Sequence, residues 1–493
     1  MPMGNQQHRI AELMTASGVG FGTSGARGRV VDMTPGVCFA YTRAFLDHMR
    51  DAFGWKAGEA VAIAGDLRPS TPGIMAAVAC AVRDAGGEPV NCGFIPSPAV
   101  ALYGIEQGIP AIMVTGSHIP DDRNGIKFNR PDGEILKDDE AAIRERTVTV
   151  PELAPEALAT CLPEADDAAR AAYVRRYVRF FGAGALAGQK VGVYEHSGVA
   201  RDLLAEILGA LGAEVVRLAR SETFIPVDTE AIRPEDVRLA RDWAAEQGLD
   251  AIVSTDGDAD RPLISDEQGH WLRGDVAGIL CARFLGVQRV VTPVSSNSAI
   301  ERCGGFEEVL RTRIGSPFVI AGMQQALARG GGVAGYEANG GFLLATPVTR
   351  NGRTLAPLPT RDAVIVILAL LVMAAERGEP ISALVADLPP RFTASDRLKD
   401  FPTERSREII AGLMTPDGQA DAGAVEALFG DLAGRLVEAD ATDGLRLTFD
   451  SGEIIHLRPS GNAPEFRCYN EADTPERAAA LNAACMERLA GLR

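Results

Sequence analysis

The chain has 493 residues, 46% of them hydrophobic, which is enough for more than one hydrophobic core and too apolar for a disordered protein. Its net charge is −17, from 66 acidic and 49 basic side chains, which argues against nucleic acid or an anionic membrane as a partner. The longest apolar run, 363–375, is too short to span a bilayer and is predicted to be a buried helix.

Cysteine usage and the start of the chain bear on where the protein works. The eight cysteines are scattered without CxxC spacing, so they suggest neither a zinc ribbon nor a disulfide framework. The first 14 residues are polar and do not resemble a signal peptide. We therefore expect a cytoplasmic protein. A monomer or a homodimer is expected, and the sequence does not decide between them.

An apolar strand, a polar loop, a helix rich in alanine and leucine, and a second strand recur three times, at 60–90, 190–218 and 289–310. This alternation predicts βαβ units with parallel strands. Near the C terminus, 445–449 and 453–457 alternate apolar and polar residues around a Gly-containing turn, which predicts a hairpin. The predicted fold class is α/β, with three similar α/β domains of mixed, parallel-type sheets and a smaller C-terminal α+β domain. The predicted boundaries are 1–160, 161–275, 276–385 and 386–493.

The first motif with evident chemistry is TGSHIP, at 115–120. Ser117 follows an apolar run that predicts a buried strand, and Gly116 before it permits a tight turn. His118 next to it can accept or donate a proton. A serine so placed at a strand's exit is a candidate for phosphorylation.

The second motif is DGDADR, at 256–261, in which Asp256, Asp258 and Asp260 alternate. Their carboxylates can converge on one hard cation that prefers oxygen ligands. With Glu267 they also match four positions of an EF-hand calcium loop. That alternative fails, because Arg261 stands where the EF-hand needs glycine and the flanking segments are predicted to be strands rather than helices.

Two later motifs suit a sugar phosphate. GYEANGG, at 335–341, places Glu337 and Asn339 between glycines, so their polar groups can reach sugar hydroxyls while the backbone approaches the ring. RPSGNAPEFR, at 458–467, combines two arginines, a serine and a glycine in one loop, as a phosphate-binding site requires.

These four motifs, in this order, resemble those of the α-D-phosphohexomutase family, which includes phosphomannomutase, phosphoglucomutase and phosphoglucosamine mutase. The resemblance extends over nearly the whole chain, and FGTSGARG at 21–28, GDLRPS at 65–70 and NGIKF at 124–128 add to it. It implies one motif per domain and an active-site cleft where the four domains meet. Closure of the fourth domain onto the substrate is expected to exclude water.

Several positions depart from the family pattern. Gly116 and Ile119 stand where the serine loop often has alanine and asparagine, and Asn339 and Gly341 stand where the sugar loop commonly has serine and histidine. In the phosphate loop, the two residues after Gly461 also differ from the usual threonine and glutamate. The departures in the sugar loop and the phosphate loop bear on which sugar is bound more than on the reaction.

The resemblance implies reversible phosphoryl exchange between C1 and C6 of a hexose phosphate through a phosphoserine and a hexose 1,6-bisphosphate. Mannose phosphates are the expected substrates, and glucose phosphates are expected to react too. Mg²⁺ is the implied cofactor and a hexose 1,6-bisphosphate the implied activator, and His118 or Lys127 would be the general acid or base. The implied catalytic residues are Ser117, His118, Lys127, Arg27 and Arg261; the metal ligands are Ser117, Asp256, Asp258 and Asp260; the substrate-binding residues are Glu337, Asn339, Arg458, Ser460, Gly461, Asn462 and Arg467.

Three alternatives stay open at this point. A phosphoglucosamine mutase would use the same chemistry, although its sugar loop usually keeps the serine and histidine that this chain lacks. A phosphatase would need water as the acceptor, whereas the sugar and phosphate loops favour a sugar. A sugar-phosphate-binding protein without turnover is disfavoured by the presence of Ser117 and all three aspartates.

Overall fold

The computed structural model describes residues 6–22, 25–460 and 464–493, which form four domains, each built on its own main sheet. In the first three domains, two parallel strands flank a central strand, and an antiparallel strand is added at one side. This confirms the predicted α/β fold with mixed, parallel-type sheets. The predicted boundaries between domains stay predictions.

Domain 1 has a main sheet in the order β2-β3-β7-β6-β4-β5, with β8 paired to β7 and a separate β1-β9 pair. Helix α2 begins where Thr34 caps the amide of Val37 and a proline occupies the first turn, a strong start signal. The elements of domain 1 are β1 Gln6–Arg9, α1 Ile10–Ser17, β2 Gly20–Phe21, β3 Gly25–Arg29, α2 Pro35–Phe53, β4 Ala60–Gly65, α3 Thr71–Asp84, β5 Glu88–Phe94, α4 Ser97–Gln107, β6 Ala111–Val114, β7 Arg123–Arg130, β8 Gly133–Glu134, α5 Lys137–Arg144, β9 Thr147–Val150 and α6 Pro155–Cys161.

Domain 2 has a four-stranded sheet in the order β11-β10-β12-β13, in which only the β12–β13 pair is antiparallel. Strand β12 is buried along its whole length, because it lies between β10 and β13 and its sequence, AIVST, has no charged residue. The elements of domain 2 are α7 Ala168–Phe181, β10 Lys190–His196, α8 Arg201–Ala210, β11 Glu214–Arg220, α9 Pro234–Gln247, β12 Ala251–Thr255 and β13 Pro262–Ile264.

Domain 3 repeats this arrangement in the order β15-β14-β16-β17-β20, with a small β18-β19 hairpin beside it. Between β14 and β15 the helix α11 has four residues, far shorter than the alanine-rich pattern in the other two units predicts. The elements of domain 3 are α10 Gly274–Leu285, β14 Arg289–Pro293, α11 Ala299–Arg302, β15 Glu308–Thr312, α12 Ser316–Leu327, β16 Val333–Tyr336, β17 Phe342–Leu344, β18 Val348–Arg350, β19 Arg353–Leu355, β20 Leu358–Asp362, α13 Ala363–Arg377 and α14 Ile381–Ala386.

Domain 4 is a five-stranded antiparallel sheet in the order β21-β25-β24-β23-β22, covered by helices. The predicted hairpin is present, because β23 pairs with β24 in the register Leu445↔Leu457. The elements of domain 4 are β21 Phe392–Leu398, α15 Thr403–Gly412, α16 Ala422–Ala433, β22 Leu436–Asp440, β23 Leu445–Phe449, β24 Ile454–Pro459, β25 Phe466–Ala472 and α17 Pro475–Ala490.

The apolar core is shared by the first three domains and separate in the fourth. One cluster of buried side chains runs from Ala62 in β4, through Val191 in β10, to α13. Helix α13 is buried from Ala363 to Ala374, which confirms the prediction for this apolar run. The core of domain 4 draws only on residues 398–492. Within the described ranges, no helix combines the length and apolar character needed to cross a membrane.

The cysteines form one disulfide, although their spacing predicted no disulfide framework. Cys80 in α3 and Cys161 in α6 form a disulfide, with their Cα atoms 5.0 Å apart. The two residues are 81 positions apart in the chain, and packing of α6 against α3 brings them together. No short-range spacing in the sequence carries that information.

Candidate active site

The serine, metal and sugar motifs lie in equivalent loops of the three similar domains. Each follows the third parallel-type strand and precedes the antiparallel strand: β6 leads into TGSHIP, β12 into DGDADR, and β16 into the loop that begins at Glu337. Loops at the carboxyl ends of parallel strands are the usual place for ligand sites in α/β sheets. The repeated topology therefore places three chemically different loops around one point.

Ser117 adopts a left-handed backbone conformation, with φ 59°, directly after β6. This conformation is costly for a residue with a side chain and persists only where surrounding contacts hold it. The Ser117 amide donates to Thr115 Oγ1 at 2.8 Å, and Ser117 Oγ donates to Asp256 Oδ2 at 2.7 Å. The hydroxyl of the serine loop is therefore directed at the metal loop.

Arg68 holds the serine loop from behind and was not among the predicted site residues. Its guanidinium donates to the carbonyl oxygens of Ser117, at 2.8 Å, and Ile119, and forms a buried ion pair with Asp66. It also lies 4.1 Å from the ring centre of Phe224 in domain 2. The GDLRPS motif contained this residue, but nothing in the motif alone indicated what it contacts.

The three aspartates of DGDADR are buried, and their carboxylates can each offer an oxygen within 4.8 Å of the others. Asp258 Oδ1 and Asp260 Oδ1 are buried without a hydrogen-bond partner. Such orphaned oxygens in a compact set suit a hard divalent cation, so the residues fit Mg²⁺. The EF-hand alternative is excluded here, since the strands β12 and β13 flank the loop.

Lys127, on β7, reaches the same carboxylates from domain 1. Its Nζ donates to Asp258 Oδ2 at 2.6 Å and to Asp260 Oδ2 at 2.7 Å. Burial lowers the pKa of Lys127, but the two carboxylates outweigh burial and the net direction is upward. Ser97 also donates to Asp258 Oδ2, at 2.8 Å. Lys127 is therefore a charged member of the cluster.

The carboxyl groups titrate differently because their neighbours differ. Burial, with the adjacent Asp258 charge, raises the pKa of Asp256 well above its usual range. Burial also acts on Asp260, but Arg361 and Lys127 outweigh it and hold the pKa of Asp260 far below its usual range. The pKa values of the two carboxyl groups therefore shift in opposite directions: that of Asp256, which accepts from Ser117, rises, and that of Asp260, which pairs with cations, falls.

Three further cationic or titratable groups line the same space. Arg261 Nε lies 3.7 Å from Asp260 Oδ1 and 4.0 Å from Asp256 Oδ2. Burial and the charge of Arg261 lower the pKa of His118 to about 3, so His118 is neutral near pH 7, and its Nδ1 lies 3.3 Å from Ser117 Oγ. Burial and the charge of Arg261 also lower the pKa of Arg27 to about 10. Direct contacts thus bring together four of the five predicted catalytic residues, Ser117, His118, Lys127 and Arg261, and Arg27 lies on β3, which pairs with the strand of Lys127.

The sugar loop is buried and held by its own contacts. Asn339 Oδ1 accepts from the Gly341 amide at 2.9 Å, and its carbonyl oxygen accepts from Thr229 Oγ1 in domain 2 at 2.9 Å. Burial raises the pKa of Glu337, and the positive charge of Arg361, 3.5 Å away, opposes this. The Arg361 side chain also pairs with Asp260 at 3.0 Å, so it joins the sugar loop to the metal loop. It was not predicted.

The phosphate loop connects β24 to β25 in domain 4. Arg458 pairs with Asp443 at 3.0 Å, and Arg467 pairs with Glu465 at 3.1 Å. The Ser460 amide donates to the Glu465 carbonyl oxygen at 2.9 Å. In the described part of the chain, neither arginine bonds to domain 1 or 2, so the structure does not bring this loop into the metal cluster. The predicted Gly461 and Asn462 lie outside the described residues.

Comparison with known proteins accounts for the whole arrangement. The chain matches the models for phosphoglucomutase/phosphomannomutase α/β/α domains I, II and III over residues 18–153, 171–269 and 273–392. It matches the C-terminal domain of the same family over residues 414–488. The four matches follow the order of the four motifs.

Full-length relatives agree. The chain is 46% identical over 469 residues to a phosphomannomutase of Salmonella muenchen, covering 95% of both chains. It is 47% identical over 464 residues to a phosphomannomutase of Sinorhizobium fredii, covering 93% of this chain and 96% of that protein. A putative phosphomannomutase from Thermus thermophilus shares the fold, with a TM-score of 0.73, 21% identity, and coverage of 96% of this chain and 99% of that one. The chain therefore belongs to the α-D-phosphohexomutase family.

Proposed function

We propose that this phosphohexomutase interconverts mannose 1-phosphate and mannose 6-phosphate, and the corresponding glucose phosphates, through a phosphoserine and a hexose 1,6-bisphosphate. The observation that carries the proposal is the position of Ser117 Oγ, which donates to Asp256 at 2.7 Å beside two further aspartates and several cationic side chains. The identity of 46–47% with two phosphomannomutases supports mannose as the principal sugar.

In the proposed reaction, phosphorylated Ser117 transfers its phosphoryl group to the free hydroxyl of a hexose monophosphate, and a bisphosphate forms. The sugar then turns over in the cleft, and its other phosphoryl group returns to Ser117. Bound by Asp256, Asp258, Asp260 and a phosphoryl oxygen on Ser117, Mg²⁺ would neutralise charge on the transferring group. Arg261 and Arg27 would add positive charge at the same place, where a loose transition state spreads negative charge over the phosphoryl oxygens.

His118 and Lys127 would share the proton and charge requirements of the transfer. His118 is neutral near pH 7 and lies 3.3 Å from Ser117 Oγ, so it would accept the Ser117 hydroxyl proton when the phosphoryl group returns to the serine. Lys127 is charged and bound to two carboxylates, so it is suited to neutralise charge and to donate a proton. In the return step this division makes His118 the base at Ser117 and Lys127 the acid at the departing sugar oxygen, and the first transfer uses the same two groups in the opposite roles.

The sugar and the non-transferring phosphate would be held by separate domains. Glu337 and Asn339 would bind the 3- and 4-hydroxyls of the ring in either orientation of the sugar. Mannose and glucose share these two hydroxyls. Domain 4 has its own core, which supports its movement as a unit toward the cleft and the exclusion of water from the phosphoserine. The phosphate would then bind Arg458, Ser460, Gly461, Asn462 and Arg467.

Hexose phosphates are the proposed partners, a hexose 1,6-bisphosphate the activator, and the cytoplasm the proposed compartment. The direct test is a coupled assay with mannose, glucose and glucosamine 1-phosphates, in Mg²⁺ and primed with the matching bisphosphate. We expect turnover of mannose and glucose phosphates within about 10- to 200-fold of each other, since the two differ at one hydroxyl that the loop need not bind. A strong preference for glucosamine phosphate would favour the phosphoglucosamine mutase alternative. Release of inorganic phosphate without isomerisation would favour a phosphatase.

A further inference from the structure

Arg361 lies between two of the loops described above. It stands near the end of β20, it is 4% exposed, and its guanidinium pairs with Asp260 at 3.0 Å and with Glu337 at 3.5 Å. The first partner belongs to the metal loop of domain 2 and the second to the sugar loop of domain 3. One side chain thus spans the two loops that must be aligned for transfer to a sugar.

Gly341 leaves the space that the Arg361 side chain occupies. A Cβ atom added at Gly341 would lie 2.8 Å from Arg361 Cγ and Cδ and 3.1 Å from its Cβ. These atoms are the start of the arginine side chain, not its flexible end, so they cannot move away without displacing the guanidinium. A side chain at position 341 and the observed position of Arg361 therefore exclude each other.

The residues on either side of Arg361 fix its backbone. Thr360 Oγ1 donates to Glu134 Oε1 at 2.8 Å, which ties the strand to domain 1. Asp362 caps α13 by accepting from the Val364 amide at 3.0 Å, and it accepts from the Tyr173 hydroxyl at 2.6 Å. Arg361 therefore extends from a rigid base, as a residue that sets the position of others must.

From this geometry we infer that Arg361 is a positioning residue that aligns the sugar loop with the metal loop, with Gly341 as its necessary partner. The inference rests on the proposed function. Glu337, held by Arg361, would fix the sugar ring so that its acceptor hydroxyl lies in line with the phosphoryl group on Ser117. Transfer to water does not require that alignment, because water does not bind the sugar loop.

Three substitutions test the inference, with Arg350→Met as the control. Arg350 is an arginine of the same domain that pairs with Glu376 outside the cleft. Arg361→Ala should lower kcat with mannose 1-phosphate by roughly 100-fold, on the order expected for misplacement by about 1 Å, with KM changed less than about threefold. Arg361→Lys should recover part of the loss. Arg350→Met should turn over at the wild-type rate.

Two readouts separate positioning from general damage. The slow loss of phosphate from phosphorylated Ser117 to water, measured without sugar, should fall at least about tenfold less than transfer to sugar in Arg361→Ala, because Asp260 keeps Lys127 as a cationic partner whereas Glu337 loses the arginine that holds it. Gly341→Ala should lower kcat in the wild-type background and have little further effect in the Arg361→Ala background, because the two side chains act through one contact.

The outcomes are distinct. The inference is overturned if Arg361→Ala keeps wild-type kcat, if hydrolysis and sugar transfer fall in parallel, or if the effects of the two substitutions simply add. A wild-type protein that turns over no hexose phosphate would instead refute the proposed function, and the inference with it.

Discussion

Replacement of Arg68 tests how the strained serine loop is held. Arg68→Met keeps most of the length of the side chain but removes the ion pair with Asp66 and both donors to the serine-loop carbonyl oxygens. The pair is fully buried, with 0% side-chain exposure on both sides. Asp66 would keep its bonds from Thr71 and Thr115 but would lose its counter-charge.

The expected cost follows from these contacts. Removing one partner of a buried ion pair costs about 3 to 5 kcal/mol, because the other charge stays buried. The left-handed Ser117 backbone holds a further strain of about 1 to 3 kcal/mol that Arg68 helps to retain, so part of the loss should appear as local opening of the loop. We therefore expect the free energy of unfolding of the first three domains, which share a core, to fall by about 3 to 5 kcal/mol.

The assay is urea denaturation of the whole protein, together with the phosphate content of Ser117 by mass spectrometry. The matched control is Arg29→Met, which removes an ion pair with Asp32 from an arginine whose side chain is 62% exposed. Exposed pairs contribute about 0 to 1 kcal/mol, so the control should unfold near the wild-type midpoint. Equal midpoints for the two variants, with normal phosphorylation of Ser117 in both, would refute this account of the loop.

Three further predictions concern the metal, the sugar and pH. Chelation with EDTA should stop turnover and Mg²⁺ should restore it, and Asp258→Asn should lower kcat roughly 100-fold or more; full activity in metal-free buffer would contradict the metal site. Glu337→Ala should weaken turnover of mannose and glucose phosphates together, and loss of one sugar alone would show that the loop reads the differing hydroxyl. Burial lowers the pKa of His196 to about 4, so the unfolded chain, with a histidine pKa near 6.5, binds more protons between these values. Stability should therefore fall as pH drops from 6.5 to 4, by about 3 kcal/mol for this residue, and a His196→Gln variant should lose correspondingly less in urea titrations across that range.

Much of the fold follows from local pattern. The strand before Ser117, the strands around the aspartates, the buried helix α13 and the C-terminal hairpin all depend on the period and polarity of neighbouring residues, which a sequence displays directly. The site is partly readable for the same reason, since each motif places its chemical groups within six to ten residues.

The remainder depends on packing between distant segments. Arg68 meets Ser117 across 49 residues, and Cys80 meets Cys161 across 81, so neither contact leaves a short-range signal. Arg361 and Gly341 illustrate the same limit: the glycine is visible as a departure, but its reason is a side chain from another strand. The helix α11 has four residues, fewer than predicted, because Gly304, with φ 65°, and Gly305 follow it and end the helix.

The most direct test of the central claim follows one phosphoryl group from Ser117 to sugar. The protein is phosphorylated with a hexose 1,6-bisphosphate, freed of small molecules, and mixed with mannose 6-phosphate, and its intact mass is measured with the sugar products. With labelled phosphate in the hexose bisphosphate, we predict one labelled phosphate on the wild-type protein, passage of that label to the mannose phosphates while unlabelled phosphate from the sugar returns to Ser117, and no phosphate and no turnover for Ser117→Ala. A Ser117→Ala variant that still isomerises mannose phosphates, or a wild-type protein that does so without ever carrying phosphate, would contradict the account.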